Sequence, residues 1–360
     1  MPPVPRRDGR DRPFAAGRRS PLCRRHASGG RRTRGPVGAT PGEVVHAENK
    51  LDLIRFDPRR ERRCGVPILL VYAFINRPTI LDFGPDRSVV RRFLDRGFDV
   101  YLVDWGEPSL LDTALGLDDF VVRYLANCVD VVRERTGSDR LHLFGYCTGA
   151  TLAVIYAALY PERVRTLGLL APVVNFDADG GVFGRWGREG PYDPRHLVEA
   201  FGNVPGEWLA LEFSLVDPVE YHVARYLRLG EHLGDDEYVA RTLRRLRWGF
   251  DSVDVPGALY REFLGSLAHE NRLMAGRLSV GGRVVDLAAL SMPILSLHAR
   301  DDRFVPPAAG LPLLEAVPSG DTEAVEFPTD HVGLSIGERS HAELWPRVCE
   351  WFARRSDGSQ

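Results

Sequence analysis

Segments typical of β-strands and of α-helices alternate along the chain from about Asp52 onward. Several strand-like segments are almost wholly apolar, as expected for strands that are covered on both faces of a sheet. The predicted strands are Val66–Phe74, Asp99–Val103, Leu141–Phe144, Val164–Leu170, Ile294–His298 and Glu323–Phe327.

Two of the intervening segments have the apolar spacing of a helix and are followed by a glycine. Ser88–Arg96 precedes Gly97, and Leu117–Arg135 precedes Gly137. A glycine directly after a helical pattern is typical of a helix C-cap. Further helical segments are Ala150–Tyr160 and His341–Arg354. Alternation of strands and helices predicts an α/β fold with a mostly parallel central sheet covered by helices.

The pattern changes between Asn175 and about Leu290. This stretch is rich in Gly, Trp, Tyr and Arg, contains the helix-like parts Asp236–Leu246 and Ala258–Leu267, and has no obvious buried strand. An insertion between two strands of an α/β sheet lies over the carboxyl ends of the strands, where ligands bind. We therefore predict a core of residues 39–174 and 291–356, and an inserted cap subdomain of residues 175–290.

Residues 1–38 differ from the rest in composition. They are rich in Arg, Pro, Gly and Ser, without apolar periodicity or the apolar region of a secretory signal, and we expect a disordered arm. Residues 1–40 carry eleven Arg and two Asp, a net charge of +9, which leaves −11 for residues 41–360 of the total of −2. The arm is interpreted as a solvated tail, a start codon placed too far upstream or a tether to nucleic acid or to an anionic surface.

The composition excludes several other classes of protein. With 360 residues, 44% apolar and 27% charged, the chain has the composition of an ordinary globular protein. The apolar run Val66–Ile75 is about half the length that a membrane-spanning helix needs, so no transmembrane segment is expected. Five cysteines form no C-x-x-C pair and no zinc-ligand spacing, and their odd number argues against a disulfide framework: Cys23, Cys64, Cys128, Cys147 and Cys349. These features favour a reducing cytoplasm and predict no metal or cofactor.

A short motif within Leu141–Ala153 carries the candidate chemistry. A strand is followed by Gly145–Gly149 (GYCTG) and then by a helix, which is the nucleophile-elbow pattern G-x-S-x-G with cysteine in place of serine. Side chains at Gly145 and Gly149 would collide with the neighbouring strand and helix in so sharp a turn. The turn places the sulfur of Cys147 at the positive end of a helix, which favours the thiolate form.

An elbow nucleophile requires an acid and a histidine, which follow it in that order along the chain. Asp301 and Asp302 lie in the loop after the strand Ile294–His298, and His331 lies in the loop after Glu323–Phe327. Both loops follow the carboxyl end of a strand, so the sequence predicts that these groups meet Cys147.

An oxyanion hole needs two backbone N–H donors. One comes from the residue after the nucleophile, Thr148, and the other from the loop that follows an earlier strand. The loop after Val66–Phe74 predicts Ile75 or Asn76 as the second donor.

The remaining candidate groups have simpler interpretations. A buried cysteine is usually a small hydrophobe, and Cys128, within an amphipathic helix, is predicted to be one. His142 and His298 flank apolar strand positions and are predicted to be structural. For Cys147, the strand–turn–helix context and the acid and histidine loops downstream favour the nucleophile.

In these residues the sequence resembles the polyhydroxyalkanoate synthases, and most closely their short, two-subunit class III type. The synthases have the α/β-hydrolase fold. The resemblance covers about Thr40 to Arg354 and rests on these segments: Phe144–Gly149, Val71–Pro78, Asp86–Val90, Thr40–Val45, Asp99–Gly106, Phe201–Glu207 and Gly281–Leu287. The length is that expected of a core plus cap without the long N-terminal domain of the single-subunit synthases.

The resemblance implies catalytic roles for Cys147 as nucleophile, for His331 as base, and for Asp302 as the acidic partner that either orients His331 or helps activate the 3-hydroxyl of the substrate. Asp302 is preferred to Asp301 because the family's loop often reads Asp-His-Ile-Val-Pro, and Asp302-Arg303-Phe304-Val305-Pro306 fills it. Two departures are visible. Arg303 replaces a frequent His, with an effect expected on packing only. Asp330 replaces a glycine before the catalytic histidine and is expected to raise the pKa of His331.

The activity that the resemblance implies is polymerisation of (R)-3-hydroxyacyl-CoA, with short acyl chains such as 3-hydroxybutyryl, and release of CoA. It further implies a second synthase subunit, contact with the polyester granule surface in the cytoplasm, and a homodimer or hetero-oligomer, with no role for nucleic acid. Two alternatives remain open. One is a cysteine-nucleophile hydrolase, either a thioesterase or a dienelactone-hydrolase-like enzyme. The other is a non-enzymatic protein, either a granule-bound structural protein or a degenerate homologue that binds a partner through the cap.

Overall fold

An eight-stranded sheet runs through the centre of the chain. The structure is a computed structural model that describes residues 38, 40–178, 181–182 and 193–356. The strands are β1 Gly42–Glu48, β2 Leu51–Phe56, β3 Ile68–Val71, β4 Val100–Asp104, β5 Leu141–Tyr146, β6 Val164–Leu170, β7 Ser279–Val280, β8 Arg283–Val284, β9 Ile294–Ala299 and β10 Thr322–Phe327.

The order of strands in the main sheet is β1-β2-β4-β3-β5-β6-β9-β10. The hairpin partners β1 and β2 are antiparallel, as are β2 and β4, whereas every later neighbouring pair is parallel. The strands β3, β4, β5, β6 and β9 are wholly or almost wholly buried, which explains their nearly continuous apolar sequences. The predicted α/β class with a mostly parallel sheet is confirmed.

Helices cover both faces of the sheet and occupy the described part of the cap. The α-helices are α1 Val89–Arg96, α2 Ala126–Thr136, α3 Thr148–Leu159, α4 Pro194–Phe201, α5 Gly206–Ser214, α6 Arg225–Glu231, α7 Asp236–Phe250, α8 Gly257–Glu262, α9 Pro312–Ala316, α10 Gly333–Ile336 and α11 Trp345–Arg354. Single π-helical stretches precede or extend several of them: Asp118–Leu125, Glu220–Ala224, Phe263–His269 and Ser340–Leu344. Short 3₁₀ turns are Pro78–Leu81, Leu110–Asp112, Pro161–Arg163, Leu287–Ala289 and Pro307–Ala309.

The ends of the first two helices follow the predicted signals. The side chain of Ser88 accepts a hydrogen bond from the N–H of Arg91, as an N-cap residue does. Gly97 and Gly137 end α1 and α2 in the left-handed conformation, with φ of 94° and 69°. Both predicted C-caps are confirmed.

The amino-terminal part of the sheet differs from the prediction. The hairpin of β1 and β2 begins at Gly42, ten residues before the predicted onset of regular structure at Asp52. It turns at Asn49, whose φ is 54°. The predicted strand Val66–Phe74 is shortened to β3, because residues 72–74 leave the sheet and turn over its carboxyl edge.

Between β6 and β9, the described residues add helices and the small hairpin β7-β8 but no strand of the main sheet. We keep the name cap for residues 175–290. The predicted arm, residues 1–38, lies outside the described residues apart from Gly38, and Cys23 lies outside them as well. In the part of the chain that the structure describes, no helix has the length and apolarity required to cross a bilayer.

Candidate active site

Cys147 lies in a strained turn between β5 and α3. Its backbone has φ 55° and ψ −125°, a combination that L-residues rarely adopt. A Cβ atom on Gly145 would lie 2.4 Å from Cα of Ala150, and one on Gly149 would lie 2.3 Å from the carbonyl oxygen of Val71. The two glycines are therefore required, as the motif predicts, by the first turn of α3 and by the end of β3.

The turn places Cys147 at the amino end of a helix that is buried over its whole length. The N–H of Cys147 donates to the carbonyl of Leu170, 2.9 Å away, which ties the elbow to the end of β6. As the first helical residue, Thr148 has an N–H without an intrahelical partner. A partial positive charge thus lies beside Cys147, a residue that is only 6% exposed.

Asp302 lies in the loop after β9, and both of its carboxylate oxygens have partners. Oδ1 accepts the N–H groups of Phe304 and Val305 at 2.9 and 2.8 Å, and Oδ2 lies 2.6 Å from Nδ1 of His331. The side chain of Asp302 has no exposed surface. The neighbouring Asp301 is exposed, so the structure brings Asp302 and not Asp301 to the histidine.

His331 lies in the loop after β10 and is bonded on both sides of its ring. Since a carboxylate only accepts hydrogen bonds, Nδ1 carries the proton toward Asp302, and Nε2 is left for Cys147, with which the side chain is hydrogen-bonded. Burial by itself lowers the pKa of the imidazole. The charge of Asp302, the neighbouring Tyr146 and the hydrogen bonds to Asp302 and Cys147 outweigh burial and hold the pKa of His331 well above its usual value.

Aromatic rings hold the imidazole in place. The ring of Tyr146 lies 5.2 Å from that of His331 at a tilt of 31°, and its O–H donates to the carbonyl of His331 at 2.8 Å. On another side, Phe304 meets the imidazole edge-on at 5.7 Å. Two cap residues, Phe213 and Tyr221, pack against Phe304 at 5.6 and 6.1 Å. The cap therefore reaches His331 through a single intervening ring.

The two departures from the family pattern both pair with the cap. Asp330 lies 3.0 Å from Arg245 of α7, and the pKa of Asp330 is lowered because the charge and hydrogen bond of Arg245 outweigh the effect of burial. Arg303 forms an ion pair with Asp217. The expectation that Arg303 affects packing only is wrong, because its long side chain carries the guanidinium to a cap carboxylate.

The proposed oxyanion donors follow β3. Ile75 and Asn76 are half-buried, and the side chain of Asn76 accepts the N–H of Arg77 at 2.6 Å. The close approach of Gly149 to Val71 puts the end of β3 against the first turn of α3. The loop that holds both candidates therefore starts beside the elbow.

Three further cysteines and the strand histidines lie in the core. Cys64, Cys128 and Cys349 are buried and form no disulfide among the described residues, and burial raises the pKa of Cys128 and of Cys349. His142 lies between the hydroxyls of Thr166 and Ser356, at 2.7 and 2.8 Å, and His298 is 2.8 Å from the hydroxyl of Ser296. Within the described ranges, no group of three or more His, Cys, Asp or Glu side chains is placed to hold a metal ion. That the protein needs no cofactor stays a prediction.

Sequence reasoning missed the aromatic residues around His331. Tyr146 stands inside the elbow motif, next to Cys147, and Phe304 stands two residues after Asp302. The position of these two aromatic residues in the motif loops could have marked them as part of the site. Their contacts with His331 could not be predicted, because those contacts join segments that are far apart in the chain. Phe213 and Tyr221 carry no such signal, because nothing in the cap sequence fixes which of its rings faces the core.

Comparisons with known proteins show the family of this chain. The family described as alpha/beta hydrolase fold matches residues 66–337, and the one described as the N-terminus of poly-beta-hydroxybutyrate polymerase (PhaC) matches residues 34–93. The poly(3-hydroxyalkanoate) polymerase subunit PhaC of Synechocystis is 37% identical, over 89% of this chain and 86% of that protein. The chain belongs to the poly(3-hydroxyalkanoate) polymerase family. The predicted enzyme class, an acyltransferase, is that of the polymerases in this family.

A haloarchaeal member of the polymerase family is more similar in sequence. The subunit PhaC of Haloferax mediterranei is 51% identical over 321 residues, which are 89% of this chain. The chain spans 65% of the length of that relative. The family predicted from the sequence is confirmed.

Solved structures of other proteins share the fold of this chain. A serine hydrolase from Cycloclasticus zankles superposes with a TM-score of 0.56 at 16% identity, covering 89% of this chain and all of that one. At so low an identity the likeness concerns the fold alone, which is the α/β-hydrolase fold that the sequence predicts.

Proposed function

We propose that the protein polymerises (R)-3-hydroxyacyl-CoA into polyhydroxyalkanoate and releases CoA, through an acyl group held as a thioester on Cys147. One observation carries this proposal: in a member of the polymerase family, the elbow residue Cys147 is hydrogen-bonded to His331, which is held in turn by Asp302. The short acyl chain, of the 3-hydroxybutyryl size, rests on the resemblance to class III synthases.

In the acylation step, the thiolate of Cys147 attacks the carbonyl carbon of the substrate thioester. His331 accepts the thiol proton on Nε2 and returns it to the sulfur of CoA as the bond between that sulfur and the acyl carbon breaks. One thioester replaces another, so the exchange costs little net free energy and the bound acyl group stays activated. A serine would instead hold a more stable oxoester.

The oxyanion of this step would be bound by backbone N–H groups. We propose the N–H of Thr148 as one donor and that of Ile75 or Asn76 as the other. The free N–H at the start of α3 supports the first assignment. The position of the loop after β3, beside the elbow, supports the second.

In the elongation step, the 3-hydroxyl of an incoming 3-hydroxyacyl-CoA attacks the acyl carbon on Cys147. An ester bond forms as the thioester bond to Cys147 breaks and the sulfur regains its proton, and the lengthened chain on CoA then acylates Cys147 again with release of CoA. We propose that His331 accepts the hydroxyl proton and that Asp302 orients His331. The two N–H groups on Oδ1 and the imidazole on Oδ2 support the orienting role, because both carboxylate oxygens are engaged within the protein and the side chain has no exposed surface. Cap residues packed through Phe304 keep water from the acyl enzyme.

The resemblance also carries our proposals about partners. We propose that a second synthase subunit acts with this chain and that the complex works at the surface of the polyester granule in the cytoplasm. The same proposal includes the oligomeric state, either a homodimer of this chain or a hetero-oligomer with the second subunit.

The test is a CoA-release assay on (R)-3-hydroxybutyryl-CoA with analysis of the acyl product, run with and without the protein encoded beside this gene. CoA release with polymer formation is expected, abolished in Cys147→Ala and unchanged in the core variant Cys128→Ala. A lag or inactivity that the second protein removes would establish the two-subunit class. Free 3-hydroxybutyrate as the sole product would replace the polymerase with the hydrolase alternative, and absence of thioester labelling on a folded protein would revive the non-enzymatic one.

A further inference from the structure

The side chain of Thr148 is a buried polar group that the proposed mechanism does not use. Thr148 follows Cys147 directly and is fully buried, and its Oγ1 has no hydrogen-bond partner among the residues that the structure describes. Nearly all buried hydroxyls in folded proteins have a partner, because an unpartnered one loses its hydrogen bonds to water without replacement. A hydroxyl left without a partner beside a nucleophile is therefore a candidate for a bond that only substrate completes.

Thr151 in the same helix shows how a structural threonine differs. It is buried to the same degree, yet its hydroxyl donates to the carbonyl of Val173 at 2.6 Å. Thr148 and Thr151 are three residues apart on one helix, so the contrast is between a hydroxyl that completes the fold and one that does not.

The other hydroxyl of the elbow is already engaged. Tyr146 donates its O–H to the carbonyl of His331. Among the elbow residues Gly145–Gly149, Thr148 thus carries the side-chain hydroxyl that remains for a bound molecule. Its backbone N–H is already assigned, in the proposed function, to the oxyanion.

We propose that the Thr148 hydroxyl binds the oxygen at the 3-position of the acyl group on Cys147 and so selects 3-hydroxyacyl over unsubstituted acyl substrates. This inference rests on the proposed function. The carbonyl oxygen has its two backbone donors, and the 3-oxygen is the next polar atom of the acyl chain. A hydroxyl both donates and accepts, so the same side chain serves the 3-hydroxyl before elongation and the ester oxygen that replaces it afterwards.

Selection of this kind has a physical basis in the closed site. A substrate without the 3-hydroxyl would leave the Thr148 hydroxyl unpartnered, and sites built to bond a substrate hydroxyl reject the analogue that lacks it. The folded protein without substrate already bears that cost. Removal of the Thr148 hydroxyl should therefore reduce the preference for 3-hydroxyacyl over unsubstituted acyl substrates without reducing the stability of the fold.

The experiment compares Thr148→Val and Thr148→Ser, with Thr151→Val as the matched control. For each protein, the rate of Cys147 acylation is measured in a single turnover with (R)-3-hydroxybutyryl-CoA and with butyryl-CoA, and thermal unfolding is recorded. We expect the preference for the 3-hydroxy substrate to fall about tenfold or more in Thr148→Val and to persist in Thr148→Ser. Thr151→Val should keep the preference but melt at a lower temperature, whereas Thr148→Val should not.

Two results would overturn the inference. One is an equal loss of rate with both substrates in Thr148→Val, which would place the hydroxyl on the carbonyl oxygen. The other is an unchanged preference, or a preference lost as completely in Thr148→Ser as in Thr148→Val. Failure of the proposed function would look different, since the unaltered protein would then show either no acylation of Cys147 by either substrate or free 3-hydroxybutyrate as its sole product.

Discussion

Nδ1 of His331 lies 2.6 Å from Oδ2 of Asp302, and the other oxygen of that carboxylate is fixed by two backbone N–H groups. The carboxylate is therefore held on both sides before it meets the imidazole. This arrangement sets one tautomer of His331 and directs its Nε2 at Cys147. An orienting group of this kind has effects that differ from those of a proton acceptor.

Asp302→Asn should lower the rate of CoA release by about 10²- to 10⁴-fold, because an amide can donate to Nδ1 and so favour the wrong tautomer. The pKa of His331 should also fall in this variant, because the charge of Asp302 that raises it is removed. The measurement is the pH profile of CoA release and of Cys147 alkylation. Asp301→Asn is the matched control, since Asp301 is exposed, and it should retain activity. Equal losses in the two variants would refute the assignment.

Three buried histidines should make the fold sensitive to acid. Burial lowers the pKa of His142 to about 3, and that of His298 and His341 to about 4 each, against 6.5 in an unfolded chain. The unfolded state thus binds more protons below pH 6.5, so stability is present above that pH and falls as pH drops toward 4. Each histidine should cost about 2 kcal/mol at pH 5 relative to pH 7. The raised pKa of His331 acts with the opposite sign, since its contribution is lost as pH rises.

The check is the free energy of unfolding in denaturant at pH 7 and at pH 5. Stability should be lower at pH 5, and the difference should shrink by about 2 kcal/mol in His142→Gln, which does not titrate in this range. A stability that does not change between the two pH values would show that these imidazoles are not held neutral.

Gly149→Ala should destabilise the protein by more than about 2 kcal/mol and abolish activity, since the new Cβ would lie 2.3 Å from the carbonyl oxygen of Val71. Gly249→Ala in α7 is the control. A Cβ there meets nothing within 4 Å, and the change should stabilise the helix by about 0.5–1 kcal/mol. Chemical denaturation of both variants measures the difference, and a fully stable Gly149→Ala would contradict the close packing of the elbow on β3.

The ion pair of Asp330 with Arg245 should contribute little to stability. The two side chains are 52% and 46% exposed, and exposed pairs are worth about 0–1 kcal/mol. A double-mutant cycle of Asp330→Asn and Arg245→Gln should give a coupling below about 1 kcal/mol that declines with added salt. A coupling of several kcal/mol, insensitive to salt, would mean that charges rather than the rings around Phe304 hold the cap to the catalytic loops.

The parts of the fold that sequence predicts are those set by local rules. Gly145 of the elbow and the C-caps at Gly97 and Gly137 are required by backbone geometry within a few residues, so the sequence shows them directly. Gly149 is required by the distant end of β3, and the sequence shows it only as part of the elbow motif. The hairpin of β1 and β2 was not predicted, because no residue of its outer strand is buried and that strand lacks an apolar pattern. The support of His331 by Tyr146, and of Phe304 by cap rings, depends on distant segments meeting, which a pattern along the chain does not reveal.

The covalent acyl group on Cys147 is the central claim, and mass spectrometry tests it most directly. The protein is mixed with (R)-3-hydroxybutyryl-CoA, quenched in acid within the first turnover and digested, and the peptide that holds Cys147 is weighed. The account predicts a mass increase of one or more 3-hydroxybutyryl units on that peptide, released by hydroxylamine and absent from Cys147→Ala. CoA release without any mass increase on Cys147, or with an acyl group on another residue, would contradict it.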